Sequence, residues 1–246
     1  MLSSLAAYYG AKGIAPEDFR CHHVAECSAE SPRFTTAKAS FVGTEYEKGN
    51  GPRLLFLSLD SGSAEVDPRR KTIEAVRYRE LRENVAALHK NKHWYRTHEL
   101  AWVLLRHFHP RLTIDTTSPY FAHVNSAKCC QNKHQRGKAN RTLFANCRGF
   151  IPGELAILRP EIIVTQGGEA RDVVVKACQI VKHKKKVVGG AAYETGLLEL
   201  VPTQQTLWLQ TYHPRYFGGF YPQRKQCWPL YEEVVKQFVA RNVRHG

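Results

Sequence analysis

The stretch RLLFLSLDSGS, residues 53–63, decides the fold predicted for this chain. A continuous apolar run that ends abruptly in Asp, Ser and Gly is typical of a buried strand, here Arg53–Leu59, that enters a tight turn. Three further runs have the same character, at Tyr120–Ala127, Glu161–Thr165 and Leu207–Thr211. Because strands with two buried faces belong to parallel sheets, these runs predict a parallel sheet that helices cover on both sides.

Segments with helical spacing alternate with the predicted strands. This alternation predicts the α/β class, with a single three-layer α/β/α domain over residues 1–246 and a central, mostly parallel four-stranded sheet. The basic segment KHKKK, residues 182–186, is interpreted as a hairpin tip. The predicted helices are Ser3–Tyr9, Glu74–Leu88, His98–His107, Gly149–Leu158, Glu169–Val181 and Trp228–Arg241.

The charge balance is unusual for a globular protein. Among the 246 residues, 36 Lys and Arg stand against 22 Asp and Glu, which gives a net charge of +14. Such an excess favours a polyanionic partner. A nucleic acid such as DNA is a better candidate than a membrane surface, because no basic helix carries a strong apolar face. Charge that serves solubility alone is the alternative.

Nothing in the sequence predicts secretion or insertion into a membrane. The segment MLSSLAAYYGAKG, residues 1–13, lacks the basic and long apolar regions of a secretory signal, and no apolar run is long enough to span a bilayer. We therefore expect an intracellular, cytoplasmic protein, with a monomer as the default state.

The cysteines form two groups that lie far apart in the sequence. Cys21 and Cys27 stand near the start of the chain, and Cys129, Cys130 and Cys147 follow about a hundred residues later. In a reducing compartment, such thiols are more suited to a metal ion or an iron–sulfur cluster than to disulfides. Four thiolates suit zinc and a cluster equally on ligand type.

Polar side chains follow three of the predicted strands, where ligands of open α/β sheets bind. Asp60, followed by Gly62 and Ser63, could hold a water molecule or stabilise a developing cation. Asn125 offers a paired donor and acceptor that suits the amide edge of a nucleobase, and His213 could donate to a developing oxyanion. Taken singly, each could instead serve only a turn or a loop cap.

The ordered set of these elements resembles the uracil-DNA glycosylase superfamily, and most closely its iron–sulfur branch, often called family 4 or 5. The resemblance covers about residues 20–240. Its elements are the strand that ends in DSG, HVNSAKC at 123–129, CRGFIPGELAILRPEIIVTQGGEA at 147–170 and TYHP at 211–214.

The resemblance implies a DNA glycosylase of base excision repair that flips a damaged base, uracil first, and hydrolyses its N-glycosidic bond. Asn125 would read the uracil edge, and His213 would stabilise charge on uracil O2. Asp60 would position water, while Gly62 and Ser63 would contact the base.

The resemblance also implies a 4Fe–4S cluster, with zinc as the alternative metal. Its ligands would be Cys21, Cys27, Cys147 and one of the adjacent pair Cys129 and Cys130. Register from Asn125 favours Cys129, whereas the spacing to Cys147 favours Cys130. Residues expected to contact DNA are Lys184, Lys185, Arg215 and the wedge candidates Tyr216 and Phe217, with the basic stretch 131–146 beside them.

The chain departs from its apparent family at several places. Five residues separate Cys21 from Cys27, where the branch has a short Cys-x-x-Cys, and Ser58–Gly62 replaces Gly-Glu-Ala-Pro-Gly. The phenylalanine that stacks on uracil has no obvious counterpart, and Tyr78 and Trp94 are the candidate substitutes.

Two other classes of function remain open. One is a nucleic-acid-binding protein with a structural metal or cluster and no glycosylase activity. The other is a metal-dependent hydrolase that uses Cys21, His22, His23 and Cys27.

Overall fold

The protein forms one seven-stranded sheet with helices on both faces, as seen in a computed structural model. The structure describes residues 1–29, 31, 33–61, 65–90, 92–131, 139–202, 204–214 and 225–243. The strands are β1 (Phe41–Val42), β2 (Leu54–Asp60), β3 (Phe121–Ala127), β4 (Ile162–Gln166), β5 (Gln179–Val188), β6 (Ala191–Val201) and β7 (Gln204–Thr211).

The four predicted strands are the parallel centre of this sheet. The strand order is β1-β3-β2-β4-β7-β6-β5, in which β3, β2, β4 and β7 run parallel. Strand β1 pairs antiparallel with β3, and the hairpin of β5 and β6 adds antiparallel to β7. The α/β class is confirmed, but the prediction of a four-stranded sheet is wrong, because both flanks carry further strands.

The missed strands lack a continuous apolar run. Strand β1 has only two residues, and β5 is an edge strand that is exposed over nearly all its length, so burial imposes no hydrophobic pattern on it. The segment at residues 182–186, predicted as a hairpin tip, instead lies within β5. The turn follows at Gly189 and Gly190, whose φ angles of 55° and 82° suit glycine.

Nine α-helices lie within the described residues, where they connect and cover the strands. They are α1 (Leu2–Ala11), α2 (Val24–Ala29), α3 (Thr44–Lys48), α4 (Ile73–Arg82), α5 (His93–Leu105), α6 (Arg141–Cys147), α7 (Ile151–Leu158), α8 (Gly168–Ala177) and α9 (Trp228–Val243).

Three predicted helix boundaries were wrong, and one of them affects the site. Helix α5 begins at His93, five residues before the predicted start, so its first turn reaches the carboxyl edge of the sheet. Helix α8 ends at Ala177, because Cys178 is already extended and leads into β5. Helix α4 also ends early, at Arg82, before a short 3-10 turn over Val85–Ala87.

Alternating side chains of β2 supply both halves of the core. Leu55 and Leu57 pack with α1, α7 and α8, whereas Leu54 and Phe56 pack with α4, α5 and α9. The same alternation directs Ser58 toward the layer that contains α5, because successive side chains of a strand point to opposite faces. Helix α5 therefore covers the polar end of this strand.

Candidate active site at the carboxyl edge of the sheet

The carboxyl ends of the four parallel strands place the predicted polar residues along one edge. Asp60 is the last residue of β2, Asn125 lies in β3 opposite Ser58, and His213 follows β7 by two positions. Gln166, which the sequence did not single out, is the last residue of β4. The parallel register therefore brings side chains from four separate segments to a common edge.

Asn125 is buried and free to bind a ligand through its amide. Its residue is 4% exposed, and no hydrogen bond joins its side chain to any described residue. An amide left without a protein partner in a buried position is costly unless another group satisfies it. Asn125 thus has the donor and acceptor needed to read the edge of a base.

Ser58 is the centre of a hydrogen-bond network beside Asn125. Its Oγ donates to Gln166 Oε1 at 2.5 Å and accepts from His123 Nε2 at 2.8 Å. Gln166 Nε2 in turn donates to Thr97 Oγ1 at 3.2 Å, and Thr97 Oγ1 donates to the His93 carbonyl at 3.1 Å. The network therefore joins β2, β3 and β4 to the first turn of α5.

Three imidazole rings meet at this network. The rings of His93 and His213 are stacked with centroids 5.2 Å apart, and His93 meets His123 edge-on at 5.7 Å. Burial, together with the neighbouring His93, holds the pKa of His123 well below its usual range, so its ring is neutral. A neutral His123 that carries its proton on Nε2 matches its donation to Ser58.

The sequence prediction missed His93, His123, Ser58 and Gln166 as parts of the site. Ser58 and Gln166 had a usable signal, since both are polar residues at the ends of apolar strands. His93 had none, because the predicted helix began at His98 and left it in a loop.

The two candidate stacking aromatics occupy different surroundings. Trp94 packs edge-on against Phe41, Phe121 and His123, so its ring lies behind the histidines in the core. Tyr78 is on α4, is 62% exposed and lies beneath the Arg82 guanidinium at 3.8 Å. The histidine pair, rather than either of these rings, stands at the site.

A cavity opens beside His213, between β7, α5 and α9. Residues that border it include Gln166, Thr211, His213, Trp228 and Tyr231. Asn125 and Asp60 are not among the bordering residues, so this cavity lies on the β7 side of the edge.

The cysteines of the two sequence groups meet in space. Cys21, Cys27, Cys129 and Cys147 border one cavity together with Phe19, Phe34 and Phe150. All four are buried, and burial raises the pKa of Cys27 and of Cys129 and raises that of Cys147 to about 11. The donor set is therefore four thiols in an apolar shell between α2, β3 and α6.

Cys130 lies apart from this set. Its Sγ is 3.7 Å from Asp60 Oδ2, and it is not among the residues that border the cysteine cavity. The chain bends at Lys128 and Cys129 after β3 ends, and Cys130 then forms an isolated antiparallel bridge with Thr35. The geometry thus pairs Cys129, rather than Cys130, with the other three cysteines.

No three His, Cys, Asp or Glu side chains among the described residues are arranged to hold a single metal ion. This applies to the cysteine cavity and to the neighbouring His22 and His23, whose rings lie against each other with centroids 3.9 Å apart. A hydrolytic metal centre at Cys21–Cys27 has no support in this arrangement.

Several predicted site residues lie outside the described part of the chain. They are Gly62, Ser63, Arg215, Tyr216 and Phe217. Lys184 and Lys185 are described, and both are exposed on the edge strand β5.

Comparison with known proteins gives one match. A sequence model of the uracil DNA glycosylase superfamily matches residues 90–233, more than half of the chain. The matched segment contains Asn125, Cys129, Cys147 and His213, together with the newly located His93. The search of curated proteins found no significant match. None of the helices in the described ranges is long and apolar enough to cross a membrane.

Proposed function

The chain belongs to the uracil DNA glycosylase superfamily, and we propose that it releases uracil from DNA by hydrolysing the N-glycosidic bond in base excision repair. Superfamily membership supports a DNA glycosylase in general. The observation that carries the finer proposal is the buried Asn125 amide, which has no partner among the described residues and lies at the same sheet edge as His213.

The chemistry requires charge stabilisation more than a strong nucleophile. Uracil leaves as an anion, so a donor aimed at its O2 lowers the barrier, and we assign that donation to His213. The Asn125 amide would pair with the uracil edge and reject cytosine, whose exocyclic amine reverses the donor pattern. Asp60 would hold the attacking water or stabilise the positive charge that develops on the sugar.

The histidines would position the groups that react. The His93 ring supports one face of His213, and the Ser58 network holds the backbone of His93 in place. A base must leave the DNA stack to reach this edge, which costs a few kcal/mol. The net charge of +14 favours the DNA binding that offsets this cost.

A 4Fe–4S cluster, held by Cys21, Cys27, Cys129 and Cys147, is the second part of the proposal. Thiolates on zinc converge to about 2.3 Å from one point, whereas a cuboidal cluster is wider and needs its thiolates around a cavity. Four cysteines that border one cavity support a group bound by thiolates, and the resemblance to the iron–sulfur branch favours the cluster over zinc. Bound there, it would cross-link α2 to β3 and α6 as a structural element.

Base release from oligonucleotides tests the glycosylase proposal. Single- and double-stranded oligonucleotides that contain uracil, hypoxanthine or a thymine mismatch would be incubated with the protein and then cleaved with alkali. We expect cleavage at uracil, and its loss in Asn125→Ala and His213→Ala with DNA binding retained. Asn50→Ala and His107→Ala, at exposed positions, are the matched controls.

DNA binding without release of any base would contradict the proposal. That result would favour the other reading of the charge and the cysteines, a nucleic-acid-binding protein with a structural cluster and no glycosylase activity. We also propose an intracellular, cytoplasmic location and a monomeric state. Sedimentation of the purified protein would check the oligomeric state.

A further inference from the structure

The β5–β6 hairpin extends the sheet along the same edge as the candidate site. Strand β5 runs in the direction of β7, because both are antiparallel to β6. The register places Lys185 opposite Glu194 and Glu194 opposite Gln210, and Lys184 lies level with Leu209 through Thr195. The carboxyl half of β5 therefore lies level with the end of β7, from which His213 follows.

The distance from the site to this strand is short. Two strand spacings separate β5 from β7, which corresponds to about 10 Å across the sheet. A lysine side chain on β5 can thus reach the backbone of a DNA strand whose flipped nucleotide is at His213.

The charge on this strand is not neutralised within the described protein. Lys182, Lys184, Lys185 and Lys186 lie within five consecutive positions and are exposed. No carboxylate of a described residue pairs with Lys182, Lys184 or Lys185, and Lys186 lies over the Tyr193 ring at 5.0 Å. Lys184 and Lys185 point to opposite faces of the sheet, and the ammonium group of each is available to a phosphate that passes this sheet edge.

Buried contacts fix the strand in position. The Glu194 carboxylate accepts hydrogen bonds from Arg171 Nε at 2.8 Å and from Arg171 Nη2 at 2.7 Å. It also pairs with His183 Nε2 at 2.8 Å. The His183 ring also stacks on Trp208 with centroids 5.6 Å apart. The one acidic side chain beside the lysines is therefore already occupied, and the strand that carries them is anchored to β7 and α8.

We propose that β5 binds the phosphates of the DNA on one flank of the flipped nucleotide, with Lys184 and Lys185 as the main contacts. The inference rests on the proposed function, since DNA must enter at the sheet edge for the register to matter. The DNA then runs across the sheet edge in a defined direction. The DNA flank on one side of the flipped nucleotide crosses β6 and is bound by β5, and the flank on the other side passes over β3 and β1.

A second copy of the chain does not suit this edge. Antiparallel pairing of two β5 strands would bring lysines against lysines at close range, which is destabilising. The polyanionic backbone of DNA has the complementary charge.

The test compares Lys184→Gln/Lys185→Gln with the control Lys12→Gln/Lys48→Gln, which makes the same charge change away from β5. Binding would be measured against salt with undamaged single-stranded oligonucleotides. The slope of log K against log salt should fall by roughly 1.4 in the β5 variant, for two lost phosphate contacts, and stay unchanged in the control. Undamaged DNA makes this readout independent of base release, so failure of the proposed function would not be mistaken for failure here.

Substrates with uracil near the 5′ end or near the 3′ end test the direction. Shortening the flank that β5 holds should abolish the difference between the β5 variant and the unaltered protein, and shortening the other flank should leave it. Equal loss in the control variant, or the same response to both shortened flanks, would overturn the proposal. So would a β5 variant that aggregates while its DNA binding is unchanged, because the lysines would then only protect an open sheet edge.

Discussion

The imidazole rings of His93 and His213 lie stacked, with centroids 5.2 Å apart and 25° between their planes. His93 opens α5 and His213 follows β7, so the pair joins two elements that are distant in sequence. A ring supported on one face has less rotational freedom, and this support orients the candidate donor of the site.

Replacing His213 or its support should affect base release to different degrees. His213→Ala should lower kcat about 10²–10³-fold, as expected for the loss of one oxyanion donor. His93→Ala should cost about tenfold because the donor remains but is less well oriented, and His93→Phe should retain most activity through its ring. Single-turnover cleavage of a uracil oligonucleotide measures all three, and an equal loss in His93→Phe and His93→Ala would rule out the supporting role.

Removing Ser58 Oγ should destabilise the fold. Ser58→Ala leaves the His123 Nε2 proton and Gln166 Oε1 without their buried partner, which costs about 1–3 kcal/mol. Urea unfolding would measure the change, with Ser4→Ala, an exposed serine on α1, as the control. A free energy of unfolding like that of the unaltered protein would show that the network adds no stability.

The buried pair of Lys128 and Glu154 should behave as a unit. Lys128 Nζ lies 2.7 Å from Glu154 Oε1, and their side chains are 1% and 0% exposed. Lys128→Met should cost about 3–5 kcal/mol because it leaves a buried carboxylate uncompensated. The double variant Lys128→Met/Glu154→Gln should cost less than Lys128→Met alone. Additive losses in denaturant unfolding would contradict this coupling.

Stability should fall in acid through His98. Burial lowers the pKa of His98 to about 4, while the hydrogen bond to the Ile114 carbonyl and the charge of Glu80 oppose the shift. The unfolded chain then binds more protons than the folded chain between this value and the ordinary pKa, so stability is full at neutral pH and declines as the pH falls. The decline amounts to about 3 kcal/mol once the pH is below the folded value.

A variant that does not titrate tests this assignment. His98→Gln should flatten the fall in unfolding free energy between about pH 7 and pH 4.5, although its stability at neutral pH is lower than that of the unaltered protein. An unchanged slope would assign the acid sensitivity to other groups, first among them His123, whose pKa is also lowered by burial.

The adjacent cysteines should differ in their effect on the cluster. Cys129→Ser should remove iron and the brown colour, because Cys129 borders the cavity with the other three cysteines. Cys130→Ser should retain both, since Cys130 lies by Asp60. Iron analysis and the visible spectrum of protein purified without oxygen provide the measurement. Retention of the cluster by Cys129→Ser with its loss from Cys130→Ser would reverse the assignment.

The sequence by itself determined the centre of the fold and the edge that holds the candidate site. Short apolar runs such as residues 54–59, each ending in a turn signal, are local features. Local burial demands are enough to predict a parallel strand and where it ends. Asp60, Asn125 and His213 were placed at a common edge for that reason, because parallel strands finish on the same side.

Only the tertiary structure decided which side chains lie in contact. The stacking of His93 on His213, the bond from Ser58 to Gln166 and the choice of Cys129 over Cys130 each depend on register and on which face a side chain takes. A one-residue shift in the register of a strand turns each of its side chains to the opposite face and would break such contacts. The lysines of β5 also depend on the tertiary structure. Their charge was evident in the sequence, but only the pairing of β5 with β6 and of β6 with β7 places them level with the end of β7.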